Sequence, residues 1–478
     1  MRLSQCSIST LALSSSALGQ VVQWDIAKRD ALLPRLRRRD GSSFNSSLTN
    51  DIQRGGYFTT VHVGSSGQEL SLQLDTGSSD VWVPSNNAAT CRNKADGGCP
   101  LGSFDSSKSS TFDDFGQGLF DILYQDNSSS KGDYFGDRFQ IGTASLDNLT
   151  MGLGLETSIP YGLIGVGYVN NEASISTTRA TYPNLPVALE HAGLIKTVAY
   201  SLWLNDLSAS TGSILFGGID TEKYVGQLTK LPVLLNKRVN NDTAFAVSMY
   251  SLEAASPSGS DTLTSSDLPI PVVLDSGTSL TYLPQDMASQ AWQEVGAVWD
   301  SDAQAPLLPC SFANHAGHFS FVFTGPQGPR INVTMDELVL ALTNGPAPTF
   351  TSGPYRGKTV CEFGIQNQTG PPFLLGDTFL RSAYVVYDLV NNEIGIAATD
   401  FNSTKSNVVP FASDGAAIPS ATAVSDQGSG TPPPQATQTG MNASKGFQAE
   451  SAAVLQSPLS EPGLVVMGVA MAYVLIGS

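Results

Sequence analysis

One six-residue pattern occurs twice in the chain, and it constrains the fold more than any other feature. The first copy is residues 74–79, LDTGSS, and the second is residues 274–279, LDSGTS, which lies 200 residues further on. In both copies an aromatic residue follows the aspartate by seven positions and a proline follows it by nine. A single Asp-Thr-Gly is weak evidence, because a strand that ends in an Asx turn often has that sequence. Two copies with matched flanks predict a duplicated unit that places an ionisable group at equivalent points.

Each copy follows a segment with β character, and the whole chain favours a mainly β fold. Leucines alternate with polar residues over residues 70–74, as in a half-buried strand, and residues 272–274 form a more buried counterpart. Helical periodicity is scarce, but helices are expected over residues 186–195 and 285–299, the second with one apolar face. That face would consist of Met287, Ala291, Val295 and Val298.

The two aspartates, Asp75 and Asp275, suit hydrolysis of an amide bond without a metal or a nucleophile. Such a reaction needs one group that takes a proton from water and another that gives a proton to the carbonyl oxygen. Two adjacent carboxyl groups can share one proton, because like charges about 3 Å apart resist joint ionisation. Glycines beside them allow close backbone approach, and hydroxyl groups can hold the carboxyl groups in place. These supporting residues are Thr76, Gly77, Ser78, Ser276, Gly277 and Thr278.

Charge and missing motifs argue against several other classes of protein. The formal net charge is −17, from 25 basic and 42 acidic residues, so the chain should repel nucleic acid. No G-x-S-x-G sequence is present for a serine hydrolase, and no H-E-x-x-H sequence is present for a zinc protease. We therefore expect neither a metal nor a cofactor.

Further stretches match one known family. Residues 104–111, FDSSKSST, form a Ser-rich turn, and residues 162–167, GLIGVG, and 373–377, FLLGD, are apolar segments that carry a glycine. Residues 384–388, YVVYD, have the character of a late strand. Together with the aspartate motifs, these stretches resemble the pepsin family of aspartic proteases over roughly residues 53–400.

The resemblance implies a bilobal, mainly β fold with an active-site cleft between two β-rich lobes, residues 40–204 and residues 205–400. One aspartate would come from each lobe, Asp75 from the first and Asp275 from the second. The implied activity is that of an aspartic-type endopeptidase on polypeptide substrates, and we expect a monomer. A non-catalytic wall protein that kept the scaffold for binding is the alternative, although both aspartate motifs are intact.

The family resemblance also implies a hairpin flap over the cleft. The candidate is residues 120–135, two short β runs around a polar turn placed at residues 125–132. By resemblance Tyr124 is the flap tyrosine and Trp82 is its partner. The alternative is that both aromatic residues are ordinary members of the core.

The flap turn departs from the usual family pattern in two ways. The family has glycine after the tyrosine, whereas this chain has Gln125, and the turn carries a sequon at Asn127. Asp126 follows Gln125, at a place where some fungal relatives also carry aspartate. A carboxylate there could meet a basic substrate side chain just before the scissile bond, or it could simply face solvent in the turn.

The cysteine count points to disulfides. Cys6 would leave with a signal peptide, and the remaining four cysteines allow three pairings. The simplest joins Cys91 to Cys99 and Cys310 to Cys361, with each bridge inside its own half of the chain. A four-cysteine metal site is disfavoured because paired C-x-x-C spacing is missing.

The N-terminal region reads as a secretory signal, residues 1–19, followed by a short propeptide, residues 20–39. A basic cluster that ends at Arg39 predicts a processing site. Removal of residues 1–39 leaves 18 basic and 40 acidic residues, a net charge of −22. Asn-x-Ser/Thr sequons support secretion and glycosylation. They occur at Asn45, Asn127, Asn148, Asn241, Asn332, Asn367, Asn402 and Asn442.

The C-terminal region reads as a stalk and a lipid-anchor signal. Residues 401–451 are rich in Ser, Thr, Pro, Ala and Gln, as in a flexible stalk. Small residues from Ser451, a nine-residue spacer and an apolar tail match a glycosylphosphatidylinositol (GPI) attachment signal over residues 452–478, with Ser451 as the attachment site. A spanning helix is the alternative, but the tail is short and lacks a basic flank. This layout is similar to that of yapsin-type and opsB-like fungal family members, and it implies a cell-surface protein.

Overall fold

The protein is mainly β. The computed structural model describes residues 56–142, 144–209, 211–234, 244–342, 347–424 and 440–448, together with the backbone of residues 22–29. The signal, the basic cluster that ends at Arg39, the sequons Asn45 and Asn241, the attachment residue Ser451 and the anchor tail lie outside the described residues. In the N-terminal half, the strands are β1 Val22–Arg29, β2 Gly56–Val63, β3 Gln68–Asp75, β4 Val81–Pro84, β5 Asp113–Leu123, β6 Ser129–Ile141, β7 Ala144–Thr157, β8 Leu163–Gly165, β9 Ala199–Trp203, β10 Thr211–Phe216, β11 Gly218–Asp220 and β12 Tyr224–Pro232.

The C-terminal half continues the pattern of short strands. These are β13 Ala246–Ser256, β14 Gly259–Leu263, β15 Ile270–Leu274, β16 Thr281–Pro284, β17 Val298–Asp300, β18 Ala305–Pro309, β19 His318–Phe323, β20 Arg330–Thr334, β21 Val339–Ala341, β22 Val360–Phe363, β23 Ile365–Gln368, β24 Phe373–Leu375, β25 Ala383–Asp388, β26 Glu393–Thr399, β27 Val408–Pro410 and β28 Thr422–Ala423. The α-helices are short: α1 Ala89–Arg92, α2 Ser174–Thr178, α3 Leu185–His191, α4 Gln285–Val295, α5 Met335–Leu338, α6 Asp377–Leu380 and α7 Ser444–Gln448. Four 3₁₀ helices are described, Lys94–Asp96, Ser106–Lys108, Val169–Asn171 and Cys310–Asn314.

The largest sheet joins the two halves of the chain. Its strands run in the order β28-β12-β26-β25-β9-β10-β1-β2-β3-β8-β4-β7-β6-β5. Strand β9 pairs with β10 on one side and with β25 on the other, so the sheet crosses the lobe boundary expected at residue 204. On one face of this sheet, the rings of Tyr200 in β9 and Tyr387 in β25 stack with their centroids 4.9 Å apart. The Phe245 ring packs edge-on against Tyr387, with a centroid distance of 4.7 Å.

Strand β1 comes from the segment expected to be a propeptide. It pairs antiparallel with β10, with Val22 opposite Phe216, and with β2, with Ala27 opposite Phe58. In the full chain, residues 22–29 therefore occupy an inner position of the large sheet. Apolar and polar residues alternate over residues 22–26, which is typical of a strand.

A second sheet carries the other aspartate. It runs in the order β20-β19-β13-β15-β24-β16-β23, and β14 pairs with β13 at its side. A four-stranded sheet, β17-β18-β22-β21, lies in the same half of the chain.

The helix expected over residues 285–299 is shorter than the sequence pattern suggested. Helix α4 ends at Val295 because Gly296 adopts the left-handed conformation at its C-cap, with φ of 75°. Met287, Ala291 and Val295 are buried as predicted, but Val298 lies in strand β17 and is 44% exposed. The other expected helix, residues 186–195, is α3, Leu185–His191.

Both disulfides of the simplest pairing are present. Cys91 bonds to Cys99, and Cys310 bonds to Cys361. Cys91 lies in helix α1, and Cys361 lies in β22, so each bridge ties a loop or a short helix to its own half.

Two stretches of the region expected to be a flexible stalk pack on the folded body, which corrects that expectation for them. Strand β27 pairs with β11, β28 pairs with β12, and the side chains of Phe411 and Ile418 are buried between them. Residues 440–448 form a second packed stretch, which includes α7. The average composition of this region did not predict these contacts, because its few apolar residues are spread through a polar sequence.

Among the helices of the described residues, none has the length and apolar composition needed to cross a bilayer.

Candidate active site

The two aspartates occupy equivalent places at the ends of two strands. Asp75 is the last residue of β3, and Asp275 directly follows β15. Both side chains have no exposed surface. The structure therefore brings together two ionisable residues that are 200 positions apart in sequence, as the repeat predicts.

Each carboxyl group is held by the same pair of donors. The amide of Gly77 donates to one oxygen of Asp75 at 2.8 Å, and the hydroxyl of Ser78 donates to the other. In the second copy, the Gly277 amide donates to Asp275 at 2.9 Å, and the Thr278 hydroxyl donates at 2.6 Å. The matched bonds explain why each motif has a hydroxyl residue three positions after the aspartate.

The two motif loops are tied to each other by reciprocal hydrogen bonds. The Thr76 hydroxyl donates to the carbonyl of Leu274 at 2.9 Å and accepts from the amide of Ser276 at 2.9 Å. The Ser276 hydroxyl in turn donates to the carbonyl of Leu74 at 3.2 Å and accepts from the Thr76 amide at 3.2 Å. This arrangement fixes the distance between the loops without using either carboxyl group.

Two glycines allow the apolar segments to lie directly against the motif loops. Gly165 in β8 is paired with Asp75, and a Cβ there would lie 2.5 Å from the amide nitrogen of Asp80. A Cβ at Gly376 would lie 2.3 Å from the carbonyl oxygen of Thr278. No side chain fits at either position, so these glycines set the close packing behind both aspartates.

Burial is the main influence on the protonation of the pair. It raises the pKa of both carboxyl groups, and the charge of Asp275 raises the pKa of Asp75 further. The hydrogen bonds from Ser78, Gly77, Thr278 and Gly277 act in the opposite direction. Because the two groups interact, their protonation belongs to the pair, and neither carboxyl group titrates independently of the other.

The flap candidate is a hairpin that ends near Asp75. Strands β5 and β6 are joined by a tight turn, in which the Tyr124 amide donates to the carbonyl of Ser128 at 2.9 Å. The turn is shorter than expected, because β6 already begins at Ser129 and includes Gly132. The indole nitrogen of Trp82 donates to the Tyr124 hydroxyl at 2.8 Å, and both side chains are buried. The two aromatic residues are therefore partners, as the resemblance implies.

Gln125 and Asp126 lie in the flap turn and are half-buried. One carboxylate oxygen of Asp126 accepts a hydrogen bond from the Ser128 amide at 2.8 Å, which is an Asx turn. This bond gives Asp126 a structural role in the turn. Its charge is close enough to Tyr124 to contribute to the raised pKa of that phenol, after burial and the charges of Asp75 and Asp80.

Sequence reasoning missed one buried residue that supports the first motif. The side-chain amide of Asn171 donates to the Gly77 carbonyl at 2.9 Å across 94 residues. An asparagine in a polar loop gives no local signal of such a contact. The nearby GLIGVG segment was the available clue, since it leads directly to this residue.

The sequons differ in their exposure. The side chains at Asn127, Asn148, Asn332, Asn402 and Asn442 are exposed, whereas Asn367 is half-buried. Asn442 donates from its side-chain amide to Asp261 at 2.8 Å.

Within the described residues, no group of three or more His, Cys, Asp or Glu side chains could hold a metal ion.

A pair of buried aspartates on matched loops of a β scaffold defines a class of acid–base hydrolase, and comparisons with known proteins identify the family. A family model described as eukaryotic aspartyl protease matches residues 56–399. The chain is 39% identical to the probable aspartic-type endopeptidase opsB of Aspergillus oryzae, over 87% of this chain and 84% of that protein. The opsB protein of Aspergillus fumigatus is 37% identical over 97% of this chain and 92% of its own length.

Two more distant proteins agree. Secreted aspartic protease 8 of Candida albicans is 36% identical over 75% of this chain and 80% of that protein. The crystal structure of the aspartic proteinase from Irpex lacteus aligns with a TM-score of 0.57 over 81% of this chain and all of that one, at 20% identity, which shows the shared fold. The chain belongs to the eukaryotic aspartyl protease family and is an aspartic-type endopeptidase.

Proposed function

We propose that Asp75 and Asp275 are the catalytic pair of a secreted, surface-anchored endopeptidase that works in acid. The observation that carries the proposal is that the two buried carboxyl groups have matched donors and influence each other's protonation. The ionised member takes a proton from a water molecule, which attacks the peptide carbonyl carbon, and the protonated member gives its proton to the carbonyl oxygen. The carboxyl group that took the water proton then gives it to the amide nitrogen, and the C–N bond breaks. The other carboxylate takes a proton back from the diol, which leaves a carboxylic acid, an amine and the pair in its starting state.

Acid conditions follow from the same arrangement. A pair that must hold one proton loses function when both carboxyl groups ionise. Activity should therefore fall as the pH rises above the pKa at which the pair loses its shared proton. The flap, with Tyr124 held by Trp82, would close over the bound peptide and shield the pair and its attacking water from bulk solvent.

Basic residues just before the scissile bond are the proposed preference. Support comes from the charge of Asp126, which lies in the flap turn directly after Gln125 and close to Tyr124. The carboxylate keeps its structural bond to Ser128 while its charge attracts a Lys or Arg side chain of the substrate.

The cell surface is the proposed location. The signal peptide, residues 1–19, and the GPI signal, residues 452–478, support it, as do two disulfides, which persist in oxidising compartments. A relative that is 36% identical is named a secreted protease. The propeptide, residues 20–39, would be removed after Arg39, and the exposed sequons would carry glycans.

The test is cleavage of a diverse peptide mixture at acidic pH by the secreted, processed chain and by its Asp75→Asn variant. Cuts that vanish in the variant support the proposal, and the residues beside the cuts give the subsite preference. Folded, processed protein that makes no cuts, yet binds wall polymers, would instead support the non-catalytic alternative.

A further inference from the structure

The two aspartate motifs differ in character at one buried position. Five residues after the aspartate, the first copy has Asp80 and the second has Leu280, and both side chains are buried. Leu280 packs among apolar side chains that include Val273 and Leu374. Asp80 has no exposed surface, and a carboxyl group is costly to bury unless hydrogen bonds compensate for the lost water. The first motif therefore keeps a buried polar group where its duplicate has an apolar one.

The Asp80 carboxyl group accepts hydrogen bonds from three separate parts of the chain. The Tyr134 hydroxyl, on flap strand β6, donates to Oδ1 at 2.7 Å, and the Tyr182 hydroxyl donates to the same oxygen at 2.8 Å. The amide of Ala173, which directly precedes helix α2, donates to Oδ2 at 2.8 Å. Asp80 therefore joins the first motif loop to the flap and to the chain on either side of α2.

The main chain of Asp80 is fixed to that of Asp75 through one short segment. The Gly165 amide donates to the Asp80 carbonyl at 3.0 Å, and the Val166 amide donates to the Asp75 carbonyl at 3.0 Å. A Cβ at Gly165 would lie 2.5 Å from the Asp80 amide nitrogen, so the two chains are in direct contact. Because Asp75 and Asp80 bond to consecutive residues, a displacement of Asp80 is passed on to Asp75.

The chain just before helix α2 holds the first motif loop at two points. The side chain of Asn171 bonds to the loop at 2.9 Å, and two residues later the Ala173 amide bonds to Asp80. Between them Glu172 is buried and accepts from the Tyr182 amide at 2.9 Å. Burial raises the pKa of Glu172 to about 9, so this carboxyl group is neutral in acid and adds no second negative charge beside Asp80.

The flap is fastened to the first motif at two points. Trp82 donates to Tyr124 at the flap turn, and Asp80, two residues before Trp82, accepts from Tyr134 further along the hairpin. The Tyr134 ring also packs edge-on against Phe120 in β5, with centroids 5.5 Å apart. The bond to Asp80 therefore comes from a side chain that is packed between the two flap strands.

We infer that Asp80 is a positioning residue of the active site, which holds the Asp75 loop and the flap in one fixed arrangement. The inference rests on the proposed role of Asp75 in the catalytic pair. Asp80 acts through Asp75 and takes no part in proton transfer itself. A small displacement of a catalytic group slows the chemical step more than it weakens substrate binding, so the role of Asp80 should be visible in kcat.

The test is peptide cleavage at acidic pH by the secreted, processed chain and three variants, with each rate divided by the concentration of folded protein. Tyr134→Phe removes the bond to the flap, and Tyr182→Phe removes the bond to the chain after α2. Asp80→Asn keeps an acceptor for both phenols but places an NH₂ group opposite the Ala173 amide. Each variant should lower kcat about tenfold and change KM by less than about threefold.

Tyr384→Phe is the matched control. Tyr384 is also buried, and its hydroxyl accepts a hydrogen bond from the Asp220 amide at 2.7 Å, in a separate apolar cluster that contains Trp203. Its loss should lower thermal stability about as much as Tyr134→Phe does, because each removes one buried hydrogen bond, but kcat should stay within about twofold of the wild type. A kcat that falls no further in Tyr134→Phe than in Tyr384→Phe would overturn the positioning role.

Asp75→Asn separates this inference from the proposed function. If Asp75→Asn abolishes cleavage while Tyr134→Phe and Asp80→Asn keep the wild-type kcat, the catalytic pair stands and the positioning role of Asp80 fails. If Asp75→Asn still cleaves, the catalytic role of Asp75 fails, and the positioning role fails with it. Should Asp80→Asn not fold, Tyr134→Phe and Tyr182→Phe decide the question by the same comparison of kcat.

Discussion

The indole nitrogen of Trp82 donates a 2.8 Å hydrogen bond to the hydroxyl of Tyr124, and this bond joins the first aspartate loop to the flap. Trp82 follows Asp75 by seven residues on strand β4, whereas Tyr124 lies at the flap turn. The position of the flap is therefore coupled to the loop that carries Asp75.

The first prediction concerns that bond. Trp82→Phe keeps an aromatic ring but removes the donor, and loss of a buried hydrogen bond costs about 1–3 kcal/mol. We expect kcat/KM to fall about tenfold, with a similar fall for Tyr124→Phe. The double variant should be little worse than either single one, because both remove the same bond. Losses that simply add would show that the two residues act independently.

The second prediction concerns the bonds between the loops. Thr76→Val leaves the Leu274 carbonyl and the Ser276 amide without their buried partner, so the free energy of unfolding should fall by about 2 kcal/mol in urea titrations. Thr60→Val, at an exposed position of β2, is the control and should change stability by less than about 0.5 kcal/mol. Equal stability of the two variants would mean that the reciprocal bonds contribute nothing.

The third prediction concerns pH. Burial raises the pKa of Glu362 from 4.5 to about 7, although Gln366 donates to its carboxyl group at 2.8 Å. Between these pH values the folded state binds more protons than the unfolded state, so the free energy of unfolding decreases as the pH rises. The full loss from this group is about 3 kcal/mol and is reached above pH 7.

Glu362→Gln should remove about 3 kcal/mol of the fall in stability between about pH 4.5 and 7, because its neutral side chain no longer titrates. The matched control is Glu156→Gln, at an exposed carboxylate in β7, which should leave the profile as it is. Thermal unfolding at several pH values measures both. A change in the free energy of unfolding across this interval that is equal in the wild type and both variants would contradict the assignment to Glu362.

The fourth prediction separates the two roles of Asp126. Asp126→Asn can still accept the Ser128 bond but has no charge, whereas Asp126→Ala loses both. If the charge attracts basic side chains, both variants should lower the ratio of kcat/KM for Lys over Leu before the scissile bond by about tenfold. An unchanged ratio in Asp126→Asn would leave Asp126 as a turn residue alone.

The aspartate site could be predicted from sequence because its information is local and repeated. Asp75, its glycine and its hydroxyl residue lie within four positions, and the second copy repeats them around Asp275. The bond of Asn171 to Gly77 could not be predicted in this way, because it depends on how a distant loop packs.

The errors in the predicted helix and stalk also have physical causes. The apolar period of α4 continues to Val298, but Gly296 at its C-cap ends the helix and turns the chain into β17. The region after residue 400 has the composition of a stalk, yet Phe411 and Phe447 each find an apolar site on the body. Composition averages over a window, whereas a single buried aromatic residue is enough to dock a segment.

The most direct test of the central claim is the rate of peptide cleavage by Asp75→Asn and Asp275→Asn, each shown to be folded and processed, across a range of acidic pH. Asp147→Asn is the control, because it removes a surface carboxylate from the same half as Asp75. The catalytic-pair account predicts that each of the first two variants loses at least about a thousandfold in kcat, while the control keeps wild-type activity. Substantial cleavage by either Asp75→Asn or Asp275→Asn would contradict the assignment of these residues as the catalytic pair.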